Sequence, residues 1–314
     1  MDLLEYPLPI DLEFLERFET GLNPQHPETS PIPARILGYG EISSIFSIEG
    51  MAEVAFKRMP IFSTIPEAEA YADIFHTYSR HLVAAGLNLP GQATAVVPSA
   101  GDVVVLYIAQ RQLPDRQFGH RLIHRDDREE TLALIRAIVA MIDDVWAFNS
   151  ARKPQLELAL DGQLSNWART SEGSPGRVFY IDTSTPLFRI DGREQLDPEK
   201  LLKSAPGALR WILRRFFLDD VMNRYYSHRD VVIDLIANLY KEQRPDLIAP
   251  VTAMINQCSA VLDRPIKPEA VDRYYRSDRV IWSLFLAFRR MDRWLSRNLF
   301  RRRYEFILPG PIKR

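Results

Sequence analysis

The sequence predicts an α+β protein of two lobes, in which a β-rich lobe carrying one helix precedes a mainly helical lobe. Before residue 112, five short runs rich in β-branched and aromatic residues are interrupted by one helical stretch. After that point apolar residues recur at helical spacing almost to the end, and further strands are predicted only around residues 155–182. We predict three segments: an N-terminal helix and proline-rich linker (1–34), a five-stranded antiparallel lobe (35–111) and a helical lobe (112–314).

Composition supports an ordinary globular protein. The 314 residues are 46% hydrophobic and 26% charged, and such a length can bury a sizeable core. The single cysteine, Cys258, excludes an internal disulfide framework and a cysteine-only zinc site, and it is consistent with a reducing compartment. The N-terminus has no basic segment, and no apolar run approaches the roughly 18 residues of a spanning helix. We therefore expect a cytoplasmic protein without a membrane span.

Charge is distributed unevenly along the chain. From Gly207 to Arg314 there are 18 Arg and 3 Lys against 12 Asp and Glu, which gives +9, so the remainder carries −10 of the overall −1. Such asymmetry concerns partners rather than fold. Residues 288–306 interleave Arg with aromatic residues, a pattern that could bind nucleic acid or acidic lipid. We interpret it instead as a solvated helix face that pairs with its own Asp residues, and we expect no nucleic-acid partner.

The elements of the first lobe follow from local pattern. DLEFLERFETGL predicts an amphipathic helix, and NPQHPETSPIPA predicts a linker. A second helix is expected to begin near Ser63 or Thr64, with Pro66 in its first turn. The five strand-like runs are ARILGYGEI, SSIFSIEG, AEVAFKRM, QATAVVPS and DVVVLYIAQ.

The second lobe begins with a long core helix at residues 128–149. Two short strands, QLELAL and RVFYID, bracket the stretch LALDGQLSNWART. Beyond Pro206 the helical pattern is broken near residues 243–245 and 264–268.

A glycine pair and a lysine lie in the first lobe. Gly38 and Gly40 lie between two strands, where their backbone N–H groups could cover phosphates. A plain glycine hairpin gives the same pattern, and a Rossmann turn is excluded because a strand follows. Lys57 is expected on the third strand, nineteen residues after Gly38, where a phosphate-contacting lysine would lie. The alternative for Lys57 is a solvated position on an edge strand.

Such a lysine needs a carboxylate to orient it. Glu67 and Glu69 both open the following helix, and Glu67 is in phase with the apolar residues Tyr71 and Tyr78. We therefore favour Glu67. The alternative is that both carboxylates only favour the helix N-terminus electrostatically.

Three residues of the second lobe suit phosphoryl transfer. The reaction needs a carboxylate near the nucleophile and oxygen ligands for Mg²⁺. Asp161 and Asn166 lie five residues apart in a loop, and Asp182 ends the next strand. Taken singly, the two carboxylates could be ordinary turn residues.

The ordered set resembles the protein-kinase-like superfamily, most closely its small-molecule branch of aminoglycoside phosphotransferases and choline kinases. The resemblance covers about residues 34–190 at motif level. It implies ATP and Mg²⁺ as cofactors and an adenine site at the hinge after Leu106–Gln110. It also implies that Gly38, Gly40 and Ser43 cover the phosphates, that Lys57 held by Glu67 binds them, that Asp161 is the catalytic base and that Asn166 and Asp182 hold Mg²⁺.

Several positions depart from the family pattern. Ser43 replaces the third loop glycine, Ala159 replaces the histidine two residues before the catalytic Asp, and Gln163 stands where a lysine or histidine is usual. Thr183 follows Asp182, without an Asp-Phe-Gly sequence. These departures argue against a protein kinase and leave altered or lost catalysis open.

The chain also contains His-Arg-Asp twice, ending at Asp126 and Asp230. The residues five positions later, Thr131 and Leu235, give neither site the amide or carboxylate that a metal would need. We therefore interpret both tripeptides as structural.

These observations predict a phosphotransferase that acts on the hydroxyl of a small molecule. In this fold the late helices build the acceptor pocket, so the +9 charge of residues 207–314 favours a neutral or acidic acceptor. The alternatives are a nucleotide-binding pseudokinase or scaffold, a nucleotidyl transferase, and an adaptor that uses the Arg-rich tail.

Overall fold

The computed structural model describes Leu8 and Ile10, together with residues 11–39, 43–99, 103–170, 176–197 and 218–294. The helices are α1 (Leu12–Gly21), α2 (Ile65–Ala84), α3 (Gly119–Arg125), α4 (Arg128–Ser150), α5 (Leu218–Tyr225), α6 (His228–Lys241), α7 (Ile248–Cys258) and α8 (Pro268–Trp294). The strands are β1 (Ala34–Tyr39), β2 (Ser44–Ile48), β3 (Val54–Phe62), β4 (Gln92–Pro98), β5 (Val104–Arg111), β6 (Leu156–Leu158), β7 (Trp167–Arg169), β8 (Val178–Tyr180), β9 (Phe188–Ile190) and β10 (Arg193–Glu194). None of the helices in these ranges is both long enough and apolar enough to cross a bilayer.

Strands β1 to β5 form one antiparallel sheet in the order β1-β2-β3-β5-β4. This confirms the predicted five-stranded antiparallel sheet, with α2 inserted between β3 and β4. Strand β3 is the middle strand, and Lys57 lies between Ile45 on β2 and Ile108 on β5. A solvated lysine on an edge strand is therefore excluded.

The two faces of this sheet are covered by different helices. Because side chains alternate along a strand, Phe56 and Lys57 point to opposite faces. Helix α1 covers the face of Phe56, where Phe18 of α1 meets Phe46 and Tyr107 edge-to-face with ring centroids 6.1 and 6.3 Å apart. Helix α2 covers the face of Lys57 with buried apolar and aromatic residues. The N-terminal helix therefore completes the core of the β-rich lobe.

The helical lobe is built on α4 and α6. Helix α4 buries an apolar stripe that includes Leu134, Ile138 and Ile142, as its period predicts. Residues 231–239 of α6 are all buried, so this helix lies inside the lobe. The predicted breaks separate α6 from α7 and α7 from α8. The helical pattern predicted for residues 206–217 and 295–314, including most of the Arg-rich tail, lies outside the described residues.

The short strands of this lobe differ in part from the prediction. The runs QLELAL and RVFYID do form strands, β6 and β8, but these belong to different sheets: β6 pairs with β9, and β8 pairs with β7. Strands β9 and β10 lie beyond residues 155–182, so the expected limit of extra strands was wrong. Strands of two or three residues are too short to show a period in the sequence.

Candidate functional site

The loop that carries Asp161 and Asn166 is fixed at both ends by strand pairing. At its start, the N–H of Ala159 donates to the carbonyl of Leu187 at 2.9 Å, beside the β6–β9 pair. At its end, the N–H of Ile181 donates to the carbonyl of Asn166 at 2.9 Å, directly beside the β7–β8 pair. Asn166 therefore lies opposite Ile181, the residue before Asp182. The two predicted metal ligands, Asn166 and Asp182, both lie at the open end of the β7–β8 hairpin.

Buried Asn149 of α4 holds the strand that leads into this loop. Its side-chain amide donates to the carbonyl of Leu158 and accepts from the N–H of Leu158, both at 2.8 Å. A side chain that satisfies both backbone groups of one residue replaces a strand partner there. Helix α4 thus fixes the direction in which the chain enters the loop.

The Asp161 carboxylate is partly buried and accepts two hydrogen bonds from one residue. The backbone N–H of Gln163 donates to Oδ1 at 3.0 Å, and its Nε2 donates to Oδ2 at 3.1 Å. Burial raises the pKa of Asp161 well above its usual range, and the carboxylates of Asp234 and Asp182 raise it further. A carboxylate with a raised pKa is a stronger proton acceptor when ionised, as a general base requires.

Helix α6 packs against the same loop. A Cβ at Gly162 would lie 2.8 Å from Val231 Cγ1 and 2.9 Å from the Val231 carbonyl oxygen, so the loop backbone touches the helix directly. Two residues later, the N–H of Leu164 donates to Oδ1 of Asn238 at 3.3 Å. These contacts place Asp161 against the buried helix of the lobe.

Lys57 reaches across from the sheet to the Asp182 segment. Its Nζ lies 3.2 Å from Oδ1 of Asp182, 3.2 Å from the carbonyl oxygen of Ile181 and 3.4 Å from Oγ of Ser184. The amide of Gln110 on β5 donates to the same Ile181 carbonyl at 3.1 Å. The structure thus brings Lys57, Gln110 and Asp182 together.

Glu67 has hydrogen-bond contacts at the start of α2. Its Oε2 accepts from the N–H of Ser63 at 2.9 Å, while its own N–H donates to Oγ1 of Thr64, the N-cap of α2, at 3.3 Å. This arrangement resembles a capping box, except that the carboxylate accepts from Ser63, the residue before the N-cap, and it satisfies amides at the helix start. Among the contacts of Lys57 within the described residues, the carboxylate is that of Asp182. The pairing of Glu67 with Lys57 therefore stays a prediction, whereas the capping contact is present.

The glycine-loop residues are described in part. Gly38 lies in β1 beside an irregularity in the β1–β2 register. Among the described residues, a Cβ there would approach only the Ile45 side chain, at 3.4 Å, which is an ordinary contact. Ser43 is buried just before β2. Gly40 lies outside the described residues, and the phosphate contacts of all three stay predictions.

Three buried tyrosines contact the two loops, and their role was missed in the sequence. Tyr71 and Tyr78 of α2 each donate a hydroxyl hydrogen bond to a loop carbonyl, and the hydroxyl of Tyr180 accepts from the N–H of Asp161 at 3.2 Å. The spacing of Tyr71 and Tyr78 placed both on the inward stripe of the helix. Periodicity predicts which face is buried but not which distant carbonyl a hydroxyl will meet.

Both His-Arg-Asp tripeptides have structural contacts. Asp126 forms an ion pair with Arg169 of β7. In the second tripeptide, Nε2 of His228 lies 2.7 Å from Oδ1 of Asp143, and the N–H of Asp230 donates to Oγ of Ser227, the N-cap of α6. Neither Asp has a contact with the Asp161 loop among the described interactions.

The residues present suit a magnesium ion that arrives with a nucleotide. Among the described residues, no group of three or more His, Cys, Asp or Glu is arranged to hold a metal ion alone. Mg²⁺ does not need such a group, because it binds through one or two protein oxygens and completes its shell with phosphates and water. Asn166 and Asp182 supply an amide and a carboxylate oxygen at one end of the hairpin, and the Asp182 side chain is 30% exposed.

Comparisons with known proteins give a family and a set of distantly related solved structures. A family model described as "Family of unknown function (DUF6206)" matches residues 33–293. No curated protein matches the chain.

Two solved structures are similar over most of their length. WaaP in complex with acyl carrier protein is 12% identical, covers 88% of this chain and 94% of its own, and has a TM-score of 0.36. The kinase domain of PknI from Mycobacterium tuberculosis, in a double-mutant form, is 15% identical, covers 82% of this chain and 97% of its own, and has a TM-score of 0.33. Because both TM-scores are below 0.5, the chemistry of the site has to be inferred from its own geometry.

Proposed function

The chain belongs to the family of unknown function DUF6206, and for this member we propose an ATP- and Mg²⁺-dependent phosphotransferase that acts on the hydroxyl of a small molecule. The observation that carries the proposal is the contact of Lys57 with Asp182, next to the backbone pairing of Ile181 with Asn166 in the Asp161 loop. We further propose a protein-kinase-like fold, with the aminoglycoside phosphotransferase and choline kinase branch as the finer assignment, because these residues occur in the order of that family.

Lys57 and the two proposed metal ligands, Asp182 and Asn166, would have different roles. When bound, Mg²⁺ would neutralise the charge of the phosphates and hold their oxygens in place. Asp182 and Asn166 would hold the ion, since their oxygens are of the type that Mg²⁺ prefers. Lys57 would bind the phosphates, because its ammonium already lies 3.2 Å from the carboxylate that would face them. Gln110 would support the site through the Ile181 carbonyl that it shares with Lys57.

Asp161 would orient the acceptor hydroxyl and accept its proton. Its raised pKa suits this role, and the loop backbone is held by α6 and by two strand pairs. The two hydrogen bonds from Gln163 fix the direction of the carboxylate. A fixed carboxylate contributes to rate by positioning the nucleophile in line with the phosphate.

The acceptor is proposed to be small and neutral or acidic. The charge of +9 over residues 207–314 is the basis for this proposal, because a polycation would be repelled by it. Near Asp161 the charges are mixed: Lys241 of α6 lies 3.0 Å from Asp278 of α8 and 3.9 Å from Asp234. The acceptor would therefore be selected by the net positive charge of residues 207–314 and not by the mixed charges next to Asp161.

Substitution of Asp161 tests the proposal. In Asp161→Asn the side chain keeps its shape but can no longer accept the proton, so we expect turnover to fall by about 10²–10⁴-fold. Binding of Mg·ATP, measured by calorimetry, is expected to stay within about threefold. Asp230→Asn, in the first turn of α6, is the matched control and is expected to retain turnover on the same panel of hydroxyl-bearing metabolites.

The same assays separate the alternatives. Absence of Mg²⁺-dependent ATP binding by the wild-type protein would contradict the proposal outright. Binding without turnover on any acceptor would favour a pseudokinase. A product that gains the mass of AMP rather than phosphate would identify a nucleotidyl transferase.

A further inference from the structure

One face of helix α2 contacts both loops of the candidate site. Tyr71 and Tyr78 lie seven residues apart, which is close to two helical turns, so both side chains leave the same face. The hydroxyl of Tyr71 donates to the carbonyl of Ser184 at 2.8 Å, and that of Tyr78 donates to the carbonyl of Ala159 at 2.6 Å. The first acceptor lies two residues after Asp182 and the second lies two residues before Asp161. A single helix therefore contacts the backbone on both sides of the reaction centre.

These contacts depend on the hydroxyl groups and not on the rings alone. Tyr71 and Tyr78 are 1% and 0% exposed, and their rings pack against Phe62 and Phe188 with centroids 5.3 and 6.2 Å apart. A phenylalanine would keep these ring contacts. A buried hydroxyl has a desolvation cost, which its hydrogen bond to a loop carbonyl offsets.

The hydroxyls remain donors over the whole physiological pH range. Burial raises the pKa of Tyr78 well above its ordinary value of 10.0, and the nearby charge of Asp182 raises it further. Burial and the same carboxylate also raise the pKa of Tyr71 above 10.0. Both groups therefore stay protonated, as a donor to a carbonyl oxygen must.

A third tyrosine joins the two loops to each other. Tyr180 lies on β8, two residues before Asp182, and its hydroxyl accepts from the N–H of Asp161 at 3.2 Å. Its ring lies against Trp167, the first residue of β7, with centroids 4.9 Å apart. The position of Asp161 is thus linked to the strand that carries Asp182.

We propose that Tyr71 and Tyr78 are positioning residues of the candidate site, Tyr71 for the Asp182 segment and Tyr78 for the Asp161 loop. At the start of the loop, the Tyr78 contact adds to the hydrogen bond between the N–H of Ala159 and the carbonyl of Leu187. Because both anchors belong to α2, the two carboxylates keep a fixed relation to the helix that covers the Lys57 face of the sheet. This inference rests on the proposed function and adds to it the residues that set the geometry.

The test uses two substitutions that remove one oxygen each, Tyr71→Phe and Tyr78→Phe. The matched control is Tyr107→Phe, which also removes a buried hydroxyl of the same lobe but on the opposite face, where it donates to Glu19. Hydrogen–deuterium exchange is measured without nucleotide for all four proteins. We expect at least threefold faster exchange of residues 180–187 in Tyr71→Phe and of residues 157–166 in Tyr78→Phe, with neither change in the control.

Binding supplies a second measurement that a merely structural role would not change selectively. We expect Tyr71→Phe to bind ATP about tenfold more weakly in the presence of Mg²⁺ and equally well in EDTA, because the segment of Asp182, one of the two proposed metal ligands, is released. Tyr107→Phe is expected to bind Mg·ATP within about twofold of the wild type.

Equal exchange in all variants, or the same increase in the Tyr107→Phe control, would overturn the inference. Equal loss of ATP affinity with and without Mg²⁺ in Tyr71→Phe would also overturn it, since the effect would then be a general loss of structure. If the wild-type protein binds no Mg·ATP, the proposed function fails. The exchange experiment contains no nucleotide and still decides whether the two tyrosines hold the loops.

Discussion

Lys57 and Arg58 are neighbours on β3, and each binds a carboxylate on a different face of the sheet. Arg58 donates to both oxygens of Glu19 on α1 at 2.7 and 2.8 Å, and the two side chains are 1% and 0% exposed. Lys57 lies 3.2 Å from Asp182, whose side chain is 30% exposed. The Arg58–Glu19 pair is fully buried, whereas the Lys57–Asp182 pair is partly exposed to solvent through Asp182.

The surroundings of Glu19 show what a purely structural pair needs. Besides Arg58, the hydroxyls of Ser99 and Tyr107 both donate to its carboxylate at 2.5 Å. Burial raises the pKa of Glu19, but the Arg58 guanidinium and these hydroxyls together hold it below the ordinary 4.5. The carboxylate is therefore ionised and its oxygens are occupied by protein donors. The Asp182 carboxylate is instead 30% exposed, and a difference of this kind is expected between a proposed ligand-binding pair and a structural one.

The largest expected effect comes from breaking the buried Arg58–Glu19 pair. Glu19→Ala leaves the Arg58 guanidinium buried without its counter-charge, so we expect a loss of about 3–5 kcal/mol in the free energy of unfolding. Urea denaturation measures it, with Glu16→Ala on the exposed side of the same helix as control. A loss below about 1 kcal/mol, the level of an exposed pair, would contradict a structural role for Glu19.

The partly exposed Lys57–Asp182 pair is expected to respond in the opposite way. Lys57→Met keeps most of the aliphatic side chain and removes the ammonium, so we expect stability to change by no more than about 1 kcal/mol. Mg·ATP affinity should fall at least tenfold, about 1.4 kcal/mol, because the phosphates lose their cation. Arg35→Met, at an exposed position of β1 in the same sheet, is the control for calorimetric titration. Unchanged affinity in Lys57→Met would remove Lys57 from the site.

A smaller effect is expected on the pH dependence of stability. Because the folded-state pKa of Glu19 is below 4.5, its stabilising contribution is complete above that pH and is lost as the pH falls through the folded value. Glu19→Gln resembles the protonated carboxyl, so the stability difference between wild type and variant should shrink as the pH falls from 5 toward 3. Urea denaturation across this range measures it. A difference that stays constant would show that Glu19 does not titrate as its surroundings imply.

Local patterns predicted the parts of the fold that local forces determine. Runs rich in β-branched and aromatic residues predicted the five-stranded sheet, and helical period after a start near Ser63 or Thr64 predicted α2. The place of α1 on the outer face of the sheet could not be predicted, because its key contact joins Glu19 to Arg58, 39 residues away. Such a pair gives no periodic signal in a single sequence.

For the candidate site, too, the sequence predicted some features and not others. Lys57 and Asp182 were predicted as members of one site, and the structure brings them into contact. The partner expected for Lys57 was Glu67, whose carboxylate accepts from the N–H of Ser63 at the start of α2, and the pairing of Glu67 with Lys57 stays a prediction. Order and spacing along the chain indicate which residues share a site. Which carboxylate a cation meets is decided by the packing of distant elements.

The close approach of Gly162 to α6 also limits which residues can replace it in evolution. A side chain at position 162 would meet both the Val231 methyl group and the Val231 carbonyl oxygen. A second mutation at 231 could remove the methyl group but not the carbonyl, which every amino acid carries. A search for revertants of Gly162→Ala should therefore find no suppressor at position 231. No substitution there removes the backbone carbonyl oxygen that the new side chain would meet.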